Sequence, residues 1–131
     1  MKTLTWLVLV CILLALALPL AACDKMGGLK VSFVGGNEAN RIYGTYMLFD
    51  GTDTRNISVE AGRTLTFRYS STIQEGELTI KLLDSEGKES MKMETGVSGV
   101  NAIVVGQTAT YKLEITGKDT KGGYDVKWEI K

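Results

Sequence analysis

Four stretches of the chain alternate between apolar and polar residues with a period of two. They are residues 64–69, 77–82, 111–116 and 124–131. Side chains on an extended strand point alternately to opposite faces, so this period predicts strands with one buried face and one exposed face. The stretches are rich in Thr, Val, Ile and Tyr, which are residue types that favour strands.

Five weaker stretches are also compatible with strands. They are residues 30–34, 41–49, 56–59, 90–94 and 100–105. The stretch 41–49 is apolar on both faces, which is typical of a central strand. No stretch beyond the N-terminal region shows a convincing helical period.

Glycine-containing segments separate these stretches at short intervals and predict turns. They are residues 35–37, 50–51, 61–62, 75–76, 86–87 and 122–123. Asp84-Ser85-Glu86-Gly87 predicts a tight hairpin, with Gly87 at the position that needs a positive φ.

About eight or nine short antiparallel strands in roughly 100 residues predict an all-β fold, a single antiparallel β-sandwich of jelly-roll-like form, with a barrel as the less favoured alternative. Two facing sheets would bring four large side chains into one core. These side chains are Phe67, Ile80, Leu113 and Trp128.

The N-terminal region has the three-part order of a cleaved signal peptide. Lys2 precedes the almost purely apolar residues 4–18, Pro19 follows, and small residues stand just before Cys23. The apolar residues 4–22 are near the lower length limit for a bilayer-spanning helix. An uncleaved transmembrane anchor therefore remains an alternative, as does ordinary secretion.

Leu20-Ala21-Ala22-Cys23 resembles the lipobox of bacterial lipoproteins. The resemblance implies that the Cys23 thiol receives a diacylglyceryl group and that a dedicated peptidase cleaves before it. The chain would then be held at the extracytoplasmic face of the cell membrane. Two acyl chains give stable anchoring, whereas a single chain gives only marginal binding. In double-membrane bacteria of the enteric type, Asp24 at the following position would imply retention at the inner membrane.

We therefore divide the chain into a signal peptide at 1–22, a lipidated tether at 23–28 and a β-sandwich domain at 29–131. The cysteines of the chain are Cys11 and Cys23. Cys11 would leave with the signal peptide and Cys23 would carry lipid. The mature domain is then expected to have neither a free thiol nor a disulfide, so its fold would depend on its hydrophobic core.

Charge and composition narrow the classes of function. The chain has 15 basic and 15 acidic residues, interspersed, and no histidine. This balance argues against nucleic acid as a partner and against an electrostatic attachment to anionic lipid. The absence of histidine removes Ser–His and Cys–His nucleophiles and the commonest zinc ligand. We expect no cofactor, no metal site and no catalytic site, with an enzyme that uses carboxylates alone as the remote alternative.

Two pairs of residues are candidate ligand or interface positions. Asp50 and Asp53 could offer oxygens to calcium, although carboxylates in a surface turn are the simpler interpretation. Tyr43 and Tyr46 could stack on a sugar or a peptide, although packing in the core is the simpler interpretation.

A second resemblance covers roughly residues 59–131. The segments 59–65 (VEAGRTL), 76–80 (GELTI), 84–87 (DSEG) and 122–128 (GGYDVKW) are similar to small β-sandwich modules of exported bacterial proteins, including jelly-roll domains of the GOLD type. The resemblance implies an interaction or accessory module without a catalytic role. The expected function is non-enzymatic binding of an envelope protein or an envelope polymer. The alternative is a structural accessory subunit of an envelope complex with no ligand of its own.

Overall fold

The computed structural model describes residues 27–131, and in this part the chain consists of seven β-strands and their connections. The strands are β1 (Gly27–Val31), β2 (Val34–Glu38), β3 (Arg41–Val59), β4 (Thr64–Leu83), β5 (Glu89–Met93), β6 (Ser98–Val104) and β7 (Ala109–Ile130). No helix that could cross a membrane occurs among the described residues. The predicted signal peptide, the predicted lipid-attachment residue Cys23 and residues 24–26 of the predicted tether lie outside them.

All strand pairs are antiparallel. The strands follow the order β1-β3-β7-β4-β5, with β2 also paired to β3 and β6 also paired to β4. This arrangement confirms the predicted all-β, antiparallel fold class. β1 begins inside the stretch assigned to the tether, since Gly27 and Gly28 already pair with Thr52 and Gly51 of β3.

Three long strands replace six of the predicted short ones. β3, β4 and β7 have 19, 20 and 22 residues, so the strands are fewer and longer than expected. β3 joins the predicted strands at 41–49 and 56–59, and β4 joins those at 64–69 and 77–82. β7 joins those at 111–116 and 124–131.

A bulge lies near the middle of each long strand and reverses which residues point inward. In β3, even-numbered Ile42 and Tyr46 are buried before the bulge, and odd-numbered Phe49 and Ile57 are buried after it. The β3–β7 register shifts between Tyr46 and Gly51, and the β4–β7 register shifts between Ile73 and Glu77. An extra residue bends a strand and keeps one continuous face turned toward the core.

The bent sheet therefore forms two layers over one core. Layer A consists of β2, β6 and the strand halves 41–46, 64–73 and 122–130. Layer B consists of β1, β5 and the strand halves 49–59, 77–83 and 109–117. Side chains of both layers belong to one buried cluster, which includes Phe67, Ile80, Leu113 and Trp128 as predicted.

Glycine has two different roles at the predicted turns. The segments 35–37, 50–51, 75–76 and 122–123 lie inside strands, so these turn predictions were wrong. Gly76 has φ 74°, and carbonyl oxygens of β7 occupy the space that a Cβ would need. The predicted hairpin at 84–87 is confirmed, since Gly87 has φ 81° and its N–H donates to the Asp84 carbonyl at 3.0 Å.

Candidate functional site at the outer edge of β6

The fold separates the four residues that the sequence marked as candidate ligands. Tyr46 is buried in the core, whereas Tyr43 is half-buried, with the Arg41 guanidinium 4.1 Å from its ring centroid. Asp50 is exposed and Asp53 is fully buried, so the two carboxylates lie on opposite faces of β3. Residues 27–131 contain no group of three or more His, Cys, Asp or Glu side chains that could hold a metal ion.

Asp53 is the centre of a buried polar cluster. Its carboxylate accepts hydrogen bonds from Lys30 Nζ at 2.6 and 2.8 Å and from Tyr124 Oη at 2.6 Å. Lys30 Nζ also lies 4.4 Å from the ring centroid of Phe33. A buried charge requires such a partner, because desolvation without one is costly. The cluster joins β1 to β3 and β7, and Asp53 is engaged within the protein.

The tyrosine hydroxyls beside Asp53 remain protonated at ordinary pH. Burial raises the pKa of Tyr124, and the hydrogen bond to Asp53 raises it further. Burial also raises the pKa of Tyr46, and the Thr120 hydroxyl counteracts part of that rise. Neither the Tyr46 nor the Thr120 hydroxyl makes a well-formed hydrogen bond within the described residues. Phenols with raised pKa values are poorly suited to act as general bases near neutral pH.

The outer edge of β6 is a different kind of surface, because no strand of residues 27–131 pairs with it. On its inner edge, the Val105 N–H donates to the Arg63 carbonyl at 2.9 Å, and the Val105 carbonyl accepts from Gly62 at 2.7 Å. At the other end, the Val97 carbonyl accepts from the Ser71 N–H at 3.2 Å. In an antiparallel strand, the backbone groups of successive residues point to alternate sides. Odd-numbered residues of β6 therefore bond to β4, and even-numbered residues face outward.

Four residues thus present their backbone N–H and C=O groups along the outer edge. They are Ser98, Val100, Ala102 and Val104. The side chains of Val100 and Val104 are 55% and 75% exposed. Unpaired backbone groups beside apolar side chains form a template for another strand.

The chain leaves this edge without the usual protection of charge. Residues 95–111 contain no charged side chain, and this is the longest uncharged run in the described part of the chain. β5, which pairs with the other half of β4, carries Glu89 and Lys92. The uncharged run was a signal for the β6 edge in the sequence, but the sequence does not reveal which strand has an open side.

The buried ring of Tyr69 packs against the core-facing side of β6. A Cβ atom at Gly99 would collide with the Tyr69 hydroxyl, so the glycine leaves room for the ring to lie against the strand. Tyr69 itself is buried and pairs with Gly99 across β4 and β6. This packing holds β6 flat against the core without a charged side chain.

A shallow trough of about 360 Å³ crosses the adjacent outer face of layer A. Its lining residues come from β3, β4 and β7 and are mainly small or hydroxylated: Gly44, Thr45, Ser70, Ser71, Thr72, Gln74, Gly123, Tyr124 and Asp125. The Asp125 carboxylate accepts two hydrogen bonds from Arg41, at 2.8 and 3.0 Å.

No protein-family model and no curated protein matches the sequence. The fold is similar to part of the secreted serine protease VesC from Vibrio cholerae, with a TM-score of 0.56 and 11% identity. The match covers 72% of this chain and 22% of the protease. A likeness at this identity shows the fold alone, and the chain corresponds to a minor part of the protease.

Two looser similarities are to domains of other exported or polymer-binding proteins. PliG of Aeromonas hydrophila, a periplasmic inhibitor of g-type lysozyme, gives a TM-score of 0.45 at 12% identity, over 73% of this chain and 93% of PliG. The CBM22-1 xylan-binding domain from Paenibacillus barcinonensis Xyn10C gives 0.39 at 16% identity, over 80% and 81%. At these TM-scores neither similarity has a bearing on function.

Proposed function

We propose that this chain is a lipid-anchored, extracytoplasmic module that binds an extended segment of an envelope protein along the outer edge of β6. The observation that carries the proposal is the open, uncharged edge formed by Ser98, Val100, Ala102 and Val104. Strand addition supplies affinity through main-chain hydrogen bonds and specificity through alternate side chains. The module performs no chemistry itself.

The geometry of β6 fits this mode of binding. Each added backbone hydrogen bond contributes about 0.5–1.5 kcal/mol net. The exposed side chains of Val100 and Val104 offer apolar surface to the side chains on one face of an added strand. The run of β-branched and small residues also favours an extended partner.

The proposed anchor is the lipidated Cys23, and its support is the lipobox pattern. Tethering keeps the domain near other envelope proteins and raises its effective concentration there. It also restricts contacts between open β6 edges of separate copies to the plane of the membrane.

An envelope polymer is the second candidate ligand, and the polar groups that line the trough in layer A favour it. Hydroxyl, amide and carboxylate groups line the trough across three adjacent strands. Such groups can exchange hydrogen bonds with a polyhydroxylated chain. The trough is shallow, and the ring of Tyr43 beside it is covered by Arg41. It therefore lacks an open aromatic face on which a sugar could stack.

The proposal is tested by site-specific photo-crosslinking in native membranes, followed by mass spectrometry. A photoreactive residue replaces Val104 in β6 or, as a matched exposed control, Lys92 in β5. We expect a discrete protein adduct from position 104 and none from position 92. The adduct should disappear with Ala102→Pro, which removes one outward N–H, and should weaken in the unanchored Cys23→Ala form.

Three outcomes would contradict the proposal. Equal yields of protein adducts from positions 104 and 92 would show that binding is not specific to β6. An adduct containing two copies of this chain would assign the edge to self-association. Diffuse or absent adducts with normal membrane retention would favour the polymer, which is then tested by measuring binding of purified envelope polysaccharide to the Asp125→Ala variant.

A further inference from the structure

Four exposed apolar side chains lie together at the edge of the sandwich opposite β6. Leu29 and Val31 are on β1, Val34 begins β2, and Met47 is in β3 between the positions that pair with them. Their exposed fractions are 58%, 44%, 73% and 55%. We call these four residues the apolar corner.

The bulge in β3 accounts for part of this exposure. Tyr46 and Phe49 are both buried, so the two residues between them, Met47 and Leu48, are both left on the outer side. Leu48 pairs with Val31, and Thr45 pairs with Val34. Met47 is therefore adjacent to both edge strands, in the segment of β3 that passes from layer A to layer B.

The apolar corner contains no charge. Lys30 stands between Leu29 and Val31 on β1, but its ammonium turns inward to the buried Asp53. Asp50 pairs with Leu29 and marks one limit of the corner. A contiguous exposed apolar surface of this kind indicates a docking site for an apolar partner.

The length of chain that leads to the corner identifies the partner. Gly27 is the first residue of β1, and Cys23 precedes it by four residues. Four residues span at most about 14 Å when fully extended. If Cys23 carries acyl chains in the bilayer, the β1 edge cannot leave the neighbourhood of the membrane surface.

We infer that the apolar corner rests on the phospholipid bilayer, at the boundary between headgroups and acyl chains, and orients the domain. The inference rests on the proposed lipid anchoring at Cys23. Uncharged aliphatic side chains enter this boundary favourably, and the balanced charge of the chain adds no electrostatic attraction. β2 and β6 are four strand spacings apart in layer A, or about 19 Å. With β1 and β2 on the membrane, the β6 edge faces away from it.

The test uses two matched valines at opposite edges, since Val34 is 73% and Val104 is 75% exposed. Each is replaced by cysteine in the full chain, and an environment-sensitive fluorophore is attached to the mature, lipidated protein. Cys11 is expected to leave with the signal peptide and Cys23 to be blocked by lipid, so the label has one site. The protein is reconstituted in phosphatidylethanolamine–phosphatidylglycerol vesicles with and without lipids that carry a quencher near the headgroup.

We expect the fluorophore at position 34 to emit at a shorter wavelength than it does in water. We also expect the quencher-bearing lipid to quench it. The label at position 104 should emit as it does in water and should not be quenched. Adding Val31→Asp and Met47→Asp should return the label at position 34 to a water-like emission while the protein still floats with the vesicles.

Water-like emission from both labels in protein that floats with vesicles would overturn the bilayer contact while leaving lipid anchoring intact. Protein that fails to float would overturn the anchor, and the inference with it. Similar quenching of both labels would show that the domain has no fixed orientation, which also contradicts the inference.

Discussion

The two sides of the sandwich are fastened by different chemistry. On one side, β1 is fixed to β3 and β7 through Lys30, Asp53 and Tyr124, whose polar atoms meet inside the core. On the other side, β6 has no charged residue and is held by backbone hydrogen bonds to β4 and by packing on Tyr69. Both β1 and β6 are edge strands among the described residues, but a buried ion pair ties β1 to the core, whereas β6 has no such pair.

This contrast separates two ways of managing an edge strand. Side-chain charges can be turned inward, as Lys30 is, so that the strand is bound to its own domain. A strand without charges lacks this deterrent to pairing through its outer backbone groups, and in a free protein this invites association. Three sets of substitutions test this contrast.

Replacing Lys30 with Met should have the largest effect. The change leaves the buried Asp53 carboxylate without its cation, which costs about 3–5 kcal/mol when a buried pair is broken. We expect this loss in the free energy of unfolding, measured by urea denaturation at neutral pH. Lys81→Met is the matched control, because its 3.5 Å pair with Glu114 is partly exposed and should contribute less than about 1 kcal/mol.

The double variant Lys30→Met/Asp53→Asn should recover much of the lost stability, because no uncompensated charge remains in the core. Equal losses for Lys30→Met and Lys81→Met would contradict a special role of the buried pair on the β1 side.

Tyr124→Phe should have an intermediate effect that depends on pH. Removing a hydrogen bond to a charged group costs about 1.5–3 kcal/mol at neutral pH. The pKa of Tyr124 is raised in the folded protein, mainly by burial. Unfolded tyrosine ionises first, so this stabilisation is present below about pH 10 and is lost as pH rises above it, by at most about 1.4 kcal/mol per pH unit.

The difference in unfolding free energy between wild type and Tyr124→Phe should therefore narrow between pH 9 and pH 11 (about one unit either side of the reference tyrosine pKa). Tyr43→Phe is the control, since its side chain is half-exposed and packs against Arg41. A difference in unfolding free energy that stays constant across this interval would contradict a raised pKa of the buried Tyr124 hydroxyl.

Two proline substitutions in β6 should have the smallest effects and test the direction of its backbone groups. Asn101→Pro removes an N–H that faces β4 and should cost about 1–3 kcal/mol. Ala102→Pro removes an N–H that faces solvent and should cost less than about 1 kcal/mol. Thermal and urea denaturation of the two variants measures both costs, and the reverse order would mean that the outward residues are the odd-numbered ones.

The alternation of apolar and polar residues predicted the strands well, because a period of two depends only on residues that are close in sequence. The alternations at 64–69 and 111–116 lie within β4 and β7, and the hairpin at 84–87 is where its residues predicted it. Glycines were misread where they bend a strand, as at Gly51 and Gly122. Whether a glycine ends or bends a strand depends on the strands beside it, and those come from distant parts of the chain.

The candidate site was hidden by the same long-range dependence. The hydrogen-bond partners of Asp53 are 23 and 71 residues away in the sequence, so the residues near Asp53 do not indicate that it is buried. β6 was predicted approximately, at 100–105, but its open edge follows only from the sheet order. The absence of charge at 95–111 is visible in the sequence, but only the fold shows that this stretch includes an unpaired strand edge.

The bent long strands also govern how such a domain can change during evolution. Because β3, β4 and β7 run through both layers, neither layer as a whole is a separate segment of chain that could be gained, lost or exchanged. Only the strands at the rims, β1, β2, β5 and β6, belong to a single layer. New strands can therefore be added only at the rims, and a partner that binds at β6 extends the sheet in the same way that an inherited strand would.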